Sequence, residues 1–432
     1  MEFLEVIVLV FSFVVLLILG VPIAFSIGVA ALLTMLVSIA PDAAFTTMAQ
    51  RMATSLDSFA LLAIPFFILA GQFMNRGGIA SRLIDFAKAL VGTLPGGLAY
   101  VNIIACMLFG AISGSAVAAA SAIGGIMSPR MVKEGYSRPF SAAVNITSAT
   151  TGMIIPPSNI LIVYSLASGG VSIAALFVAG YVPGILLGLA LMLVAGFISF
   201  KQRYPVGDRT SLKEVIKKFF DALPSLFLLF VVIGGIIAGV FTATEASAIA
   251  VLYTLILSMV VYRQIKIQNL PEILINTVIT TSIVMLLIGT SMGMSWVMSF
   301  ENIPQGVSEA LLSISDNKII VLIIINLILL FVGIFMDMTP AVLIFTPIFL
   351  PVVTALGVDP VHFGIMMVLN LCIGLCTPPV GSVLFVGCGV ANISISKVIK
   401  PLVPLFIAMV LALLLVTYIP ALSLWLPGIF GL

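Results

Sequence analysis

FGAISGSAVAAASAIGGIMSP, residues Phe109–Pro129, decides the fold. Its first part, Phe109–Ser115, is small and polar, yet apolar sequence lies on both sides. Ser-Gly-Ser at the centre of a membrane helix leaves backbone groups unpaired unless they face protein or a water-lined cavity. A second stretch of this kind is GIFMDMTP, Gly333–Pro340, with Asp337 at its middle. Each is followed by a Pro-Pro break: GMIIPPSN (Gly152–Asn159) and GLCTPPVG (Gly374–Gly381). Paired breaks at matching places in two halves point to the binding site of a secondary transporter.

The composition sets the class. The chain has 432 residues, 62% apolar and 8% charged. A soluble domain is roughly a quarter charged, so this is an integral membrane protein. Spanning-length apolar runs recur from end to end. No soluble domain fits between them, and a net charge of +2 is too small to suggest nucleic acid. The four cysteines (Cys106, Cys372, Cys376, Cys388) lie in apolar segments and read as packing rather than disulfides or metal ligands. Cys372 and Cys376 lack further ligands, because the single histidine is His362. The N-terminus has no basic n-region or small-residue cleavage site, so its first apolar run reads as a retained span.

Leu4–Gly20 and Pro22–Ile39 read as two spans, and Phe45–Asn75 as one long element. Ile79–Leu94 is amphipathic and predicted to lie along the interface. The first polar centre follows, then the first Pro-Pro break and a span over Val171–Phe200. After the basic connection KQRYPVGDRTSLKEVIKK the same order recurs: spans at Leu223–Val240 and Glu245–Val261, then Leu270–Phe300. An amphipathic Ile303–Ile314, the second polar centre, the second break and a closing span over Ile395–Leu424 complete it. Offsets near 222 bring Gly135 onto Gly357, Gly152 onto Gly374, and Pro156-Pro157 onto Pro378-Pro379. The expected architecture is an all-α polytopic membrane protein of two inverted repeats. Residues 1–200 form the first (hairpin about 97–134, broken helix about 141–167) and 201–222 a cytoplasmic connection. Residues 223–432 form the second (hairpin about 318–357, broken helix about 361–390).

Orientation follows from lysine and arginine. If each polar centre is the tip of a re-entrant hairpin, each half crosses the membrane an odd number of times and the halves are inverted. With the N-terminus outside, 16 of the 18 basic residues fall in the cytoplasm, Arg209 among them. Arg51 and Lys318 fall outside, with acids including Asp42, Asp57, Glu301 and Asp316. A thiol at Ser137 would then face the cytoplasm and one at Val358 the outside.

Asp337 sits near the bilayer centre by this count, where a carboxylate costs about 2.5–3.5 kcal/mol on insertion scales. It reads either as a cation site or as a hairpin cap accepting from helix amides. Ser113-Gly114-Ser115 and Thr339 supply hydroxyls and carbonyls at the two tips. The breaks free carbonyls near Thr150, Thr151, Gly152, Gly374 and Thr377. Neutral oxygens of this kind suit a hard cation such as Na+. Half-helix N-termini at the tips and at Pro156-Pro157-Ser158 and Pro378-Pro379 favour an anionic substrate group. Small-residue helix packing is the competing reading for Gly110, Gly114, Ala118 and Ser121. Glu245 after Thr244 reads as a helix-start acid and His362 as an interfacial residue. No nucleophile–base set, metal cluster or phosphate loop appears, so the chain reads as a non-enzyme.

Five stretches, FGAISGSAVAAASAIGGIMSPRM (Phe109–Met131), KEGYSRPFSAAV (Lys133–Val144), TTGMIIPPSN (Thr150–Asn159), FTATEASAIA (Phe241–Ala250) and GLCTPPVG, resemble the large membrane subunit of tripartite ATP-independent periplasmic (TRAP) transporters. The resemblance covers essentially the whole chain. It implies an elevator transporter in the bacterial inner membrane, with a mobile domain of hairpins and broken helices sliding against a scaffold. It implies a small TRAP membrane subunit, expected to be a separate chain, and a periplasmic substrate-binding protein that delivers an organic acid such as sialic acid or a C4-dicarboxylate. It implies sodium as coupling ion, with one site drawing on Ser113, Ser115, Thr150, Thr151 and Gly152 and another on Asp337, Thr339, Gly374 and Thr377. The competing readings are a stand-alone sodium–carboxylate symporter or cation antiporter, and a channel or scaffold membrane protein.

Overall fold

The structure is a computed structural model that describes residues 2–206, 211–315 and 317–432. Arg209 and Asp316, assigned above to opposite sides, lie outside the described residues. Among the described residues every regular element is helical, and eight helices are long and apolar enough to cross a membrane.

The first elements are α1 (Glu2–Ile18), α2 (Ile23–Ser38), α3 (Pro41–Leu56) and α4 (Ala63–Arg76). The single element expected over Phe45–Asn75 is therefore two helices. Near the end of α3, Thr54 Oγ1 donates to Gln50 O at 2.8 Å and Ser55 Oγ to Met52 O at 2.8 Å. Such side chains compete for helix carbonyls, and the chain leaves the helix at Asp57-Ser58. Next, α5 (Ile79–Val91) buries Ile79, Leu83, Ile84 and Ala87. The first hairpin follows as α6 (Gly97–Ser113) and α7 (Ala116–Lys133). It turns at Gly114, whose φ of 60° suits glycine, and Ser115 Oγ caps α7 by accepting from Ala118 N at 3.2 Å. The first broken helix is α8 (Arg138–Ala149), a 3₁₀ turn (Thr151–Met153), the Pro-Pro pair, and α9 (Asn159–Ala167). A long α10 (Ile173–Lys201) ends this half.

The second half opens on α11 (Leu212–Ile237), which joins the end of the basic connection to the span expected over Leu223–Val240. Ser211 caps it, accepting from Glu214 N at 3.2 Å, and the helix runs unbroken through Pro224. Its basic start docks on α5 by Lys218 Nζ to Asp85 Oδ2 at 2.8 Å and by Phe86 against Phe219. That docking explains why it does not lie free on the surface. α12 (Ala243–Ile256) begins with a capping box in which the Glu245 carboxylate accepts from Thr242 N, as a helix-start acid should. Then come α13 (Leu270–Phe300), α14 (Ile303–Ile314), and a second hairpin of α15 (Lys318–Phe335) and α16 (Met338–Ala355). The second broken helix is α17 (Pro360–Gly374) and α18 (Ser382–Val390). The expected closing span is again two helices, α19 (Ile395–Tyr418) and α20 (Ala421–Phe430), parted at Pro420.

The same contact holds each broken helix against a hairpin arm. A Cβ on Gly110 would sit 2.8 Å from Gly152 Cα, and one on Gly374 would sit 2.6 Å from Gly333 Cα. Only glycine on both sides allows that approach. Buried asparagines reinforce it. Asn102 Oδ1 accepts from Ser148 Oγ at 3.0 Å in the first half, and Asn326 Oδ1 from Asn370 Nδ2 at 2.7 Å in the second. His362 is not interfacial but buried. Its ring nitrogens lie 2.6 Å from Ser423 Oγ and 3.2 Å from Thr417 O, tying α17 to α19 and α20.

α13 is a straight run of 31 residues, about 46 Å at helical rise. Near its start Arg76 Nη1 pairs with Glu272 Oε2 at 2.8 Å, and past its far end Ser38 Oγ donates to Glu301 Oε1 at 2.5 Å. Large apolar side chains such as Phe11, Phe197, Phe230 and Phe331 are exposed along the outer helices, the surface a bilayer would cover.

Two outcomes check these points. Val358 is only 4% exposed, so sidedness is best read at Ser137 and Ala355, both exposed. A thiol at Ser137 is expected to react with an impermeant reagent from the cytoplasm and one at Ala355 from outside; reaction from one common side rules out inverted hairpins. Gly374→Ala is expected to lower the thermal-unfolding midpoint through overpacking worth about 1–3 kcal/mol. Gly125→Ala, with no neighbour within 4 Å, leaves the midpoint unchanged or higher.

Candidate functional site

A cavity of about 290 Å³ lies where the two hairpin tips meet. Ser113–Ala118 forms one wall and Asp337–Thr339 the facing one. Met153 and Asn159 of the first broken helix and Leu375 of the second close it from behind. The remaining walls are one face of α4 (Ile64, Ile68, Gly71, Gln72, Asn75) and the Thr280–Val284 segment of α13. Gly71 lets α4 approach the first tip, since a Cβ there would sit 3.1 Å from Ser113 O.

The tips carry different chemistry. Ser113 is buried, and its Oγ is enclosed with no hydrogen-bond partner. Such an atom costs about 1–3 kcal/mol unless something satisfies it. Ser115 spends its hydroxyl as the α7 cap. Asp337 occupies the N-cap position of α16, with φ −68° and ψ 161°, but its carboxylate makes no capping hydrogen bond. The cap reading therefore lacks its bond, and the side chain is exposed toward the cavity. Thr339 lines the wall beside it. Among the described residues that line the cavity, Asp337 alone is charged.

The break residues sit behind the tips rather than on the lining. Thr150, Thr151 and Gly152 are buried; Thr150 Oγ1 donates to Thr147 O at 2.9 Å and Thr151 Oγ1 to Ser148 O at 2.6 Å. Thr150 Oγ1 also accepts from Cys376 Sγ at 3.9 Å, and each hydroxyl oxygen keeps a lone pair able to coordinate. Pro156, Pro157 and Ser158 are also buried, with Ser158 Oγ donating to Met153 O. In the second break Gly374 is buried, packed on Gly333, and Thr377 Oγ1 donates to Ile373 O at 2.8 Å. Leu375 O accepts from both Val383 N and Leu384 N, which turns the chain back toward α18. Pro378 is half-buried and Pro379 exposed. Of the residues read from the sequence, then, Ser113, Gly114, Ser115, Asp337 and Thr339 share the cavity, and the rest lie off its lining.

Four polar lining residues escaped the sequence reading: Gln72, Asn75, Asn159 and Thr280. A signal existed. Gln72 and Asn75 are carboxamides three residues apart near the end of an apolar helix, and Asn159 directly follows a Pro-Pro break.

Two packed hairpins, two interrupted helices and a polar cavity between their tips define a polytopic membrane protein with a pre-formed internal site. The chain belongs to the family of the DctM component of tripartite ATP-independent periplasmic transporters, whose model matches residues 10–422. It is a multi-pass protein of the bacterial inner membrane. It is similar to an uncharacterized protein, YgiK, of Salmonella typhimurium, 59% identical over 99% of this chain and 98% of that protein. It is 40% identical to the C4-dicarboxylate TRAP transporter large permease protein of Pseudomonas aeruginosa, over 94% of this chain and 95% of that one. It is 39% identical to the sialic acid TRAP transporter large permease protein of Vibrio cholerae, over 98% of each. Among solved structures, the Alcanivorax borkumensis YdaH transporter superposes with a TM-score of 0.64 over 90% of this chain and 88% of that one. At 13% identity that likeness concerns the fold alone.

Ser113→Ala separates stability from function. Deleting an enclosed, unpartnered hydroxyl is expected to leave the thermal midpoint in sodium-free buffer unchanged or to raise it, by up to about 1 kcal/mol. A lowered midpoint there shows that Ser113 serves packing.

Proposed function

We propose that this chain is the membrane carrier of a tripartite system that imports an organic acid in symport with sodium. A soluble periplasmic binding protein hands over the substrate, and a small membrane subunit extends the scaffold. The observation that carries this reading is the cavity between two hairpin tips with a single charged side chain, Asp337. A carboxylate with no cation beside it and no capping bond suits a bound cation. The enclosed, unpartnered Ser113 Oγ and the free lone pairs of Thr150 and Thr151 are the neutral hard oxygens that sodium selects. In this reading Ser113, Ser115, Thr150, Thr151 and Gly152 hold one ion, and Asp337, Thr339, Gly374 and Thr377 another. The first-turn amides of α7 and α16 end on the cavity and favour an anion.

The chain's own part is then positional. Each tip offers a partial positive charge to the acid, and the ions add the full charge that no side chain supplies. Residues 1–200 and 223–432 act as inverted halves joined through 201–222. The two hairpins and broken helices slide together against the scaffold of α4 and α13. The cavity reaches Asn75, beside Arg76, at the end that the charge distribution assigns to the cytoplasm. This is the inward-open end of the cycle.

A stand-alone symporter is the second reading, and proteoliposome uptake separates the two. This chain and its small partner subunit are reconstituted with an inward sodium gradient and a panel of labelled organic acids. The binding protein is either present or left out. Uptake that needs both sodium and the binding protein is the expected result. Uptake with sodium alone favours the stand-alone carrier, and none under any condition moves weight to a channel or scaffold. Asp337→Asn is expected to insert normally and to lose sodium-dependent uptake by about tenfold or more, the scale of one charge-assisted contact. An unchanged sodium response removes Asp337 from the site.

A further inference from the structure

The cavity's carboxamides carry a statement about what enters it. Asparagines in the helical core are tied to the protein: Asn102, Asn145, Asn326 and Asn370 each make at least one hydrogen bond to a neighbouring side chain or carbonyl, although Asn370 Oδ1 is enclosed without a partner. The three carboxamides on the cavity are not. Gln72 and Asn75 of α4 and Asn159 of α9 line it, and among the described residues none of the three side chains has a hydrogen-bond partner; Gln72 and Asn159 are half-buried and Asn75 is exposed. Asn159 stands closest to the first tip. A Cβ on Gly114 would sit 2.7 Å from Asn159 Nδ2, and Asn159 Oδ1 is enclosed without a partner.

A carboxamide offers two N–H donors and an acceptor oxygen side by side. A plain dicarboxylate, ionised at neutral pH, has only acceptors. It satisfies the NH₂ groups and leaves three amide oxygens facing acceptors. A hydroxyl donates and accepts at once and meets a carboxamide on both atoms. Sites built to bond a substrate hydroxyl reject analogues that lack it, because buried groups are then left unpaired. We infer that the cavity selects a polyhydroxylated monocarboxylic acid over a plain dicarboxylate, with Gln72, Asn75 and Asn159 as the selectivity residues. The inference rests on the organic-acid reading above and narrows it. In the bound state the carboxylate lies toward the tips and the hydroxyls toward α4 and α9, so recognition is shared between the hairpin side and the scaffold side.

The test uses a thiol reporter, so it does not depend on what the binding protein delivers. Val117 lines the cavity and is 39% exposed, whereas the four native cysteines are buried and react slowly. Val117→Cys in the purified chain with its small subunit, in sodium buffer, is alkylated by a small maleimide while D-gluconate or succinate is titrated in. D-gluconate is expected to protect at a concentration at least about tenfold below that of succinate, one hydrogen bond's worth or more. Adding Asn159→Leu is expected to raise the half-protecting gluconate concentration about tenfold and to leave succinate within a factor of about two. Gln72→Met gives the same split if the first variant does not fold. Equal protection by both acids, or a variant that shifts both alike, overturns the inference and leaves the transport reading standing. Protection by neither acid at any concentration overturns both.

Discussion

An interrupted helix inside a bilayer must be enclosed by protein at its break, and here another backbone packs directly against it. Gly110 against Gly152, and Gly333 against Gly374, bring a hairpin arm and a broken helix to within a distance that any side chain would forbid. The rest of the site depends on this. With the arms that close, each hairpin tip is held at the level of a break, and the two tips face each other across one cavity. Deletion of a methyl group elsewhere loosens a core, but addition of one here would separate the elements that define the site.

The two halves use this scheme with unlike chemistry. The first tip is Ser113-Gly114-Ser115 beside Asn159; the second is Met336-Asp337-Met338. The first is neutral and rich in groups that both donate and accept. The second brings the charge. A cavity walled by two unlike tips can thereby hold an asymmetric ligand in one orientation, because facing positions do not carry equivalent atoms.

Much of the fold was legible in the sequence because its constraints are local. Pro-Pro in an apolar run, Ser-Gly-Ser in a membrane-depth segment and the amphipathic pattern of Ile79–Leu94 each force a backbone outcome whatever surrounds them. The errors arose where a distant partner decides. The span expected from Leu223 starts earlier, since α11 begins at Leu212 and its start is held by Asp85 and Phe86 on α5. His362 beside Pro360 reads as interfacial until Ser423 and Thr417 are seen to enclose it. Of the site, the tips were visible as anomalies of composition. Gln72, Asn75 and Asn159 were not, because a lone carboxamide in an apolar helix is ordinarily a packing partner, as Asn326 and Asn370 are. Only the absence of any bond to the protein sets the three apart.

α13 gives the membrane itself a hold on the cavity. Its roughly 46 Å exceed a hydrocarbon core of about 30 Å, so its ends reach both headgroup layers or the helix leans. Polar contacts pin it at both ends, Arg76 to Glu272 and Ser38 to Glu301. A helix longer than the hydrocarbon core accommodates a thinner bilayer by tilting. Thr280 and Val284, which wall the cavity, sit partway along that helix and swing with it. Bilayer thickness thereby becomes a mechanical input to the shape of the site, and hydrophobic mismatch is converted into a change in the space left for the ligand.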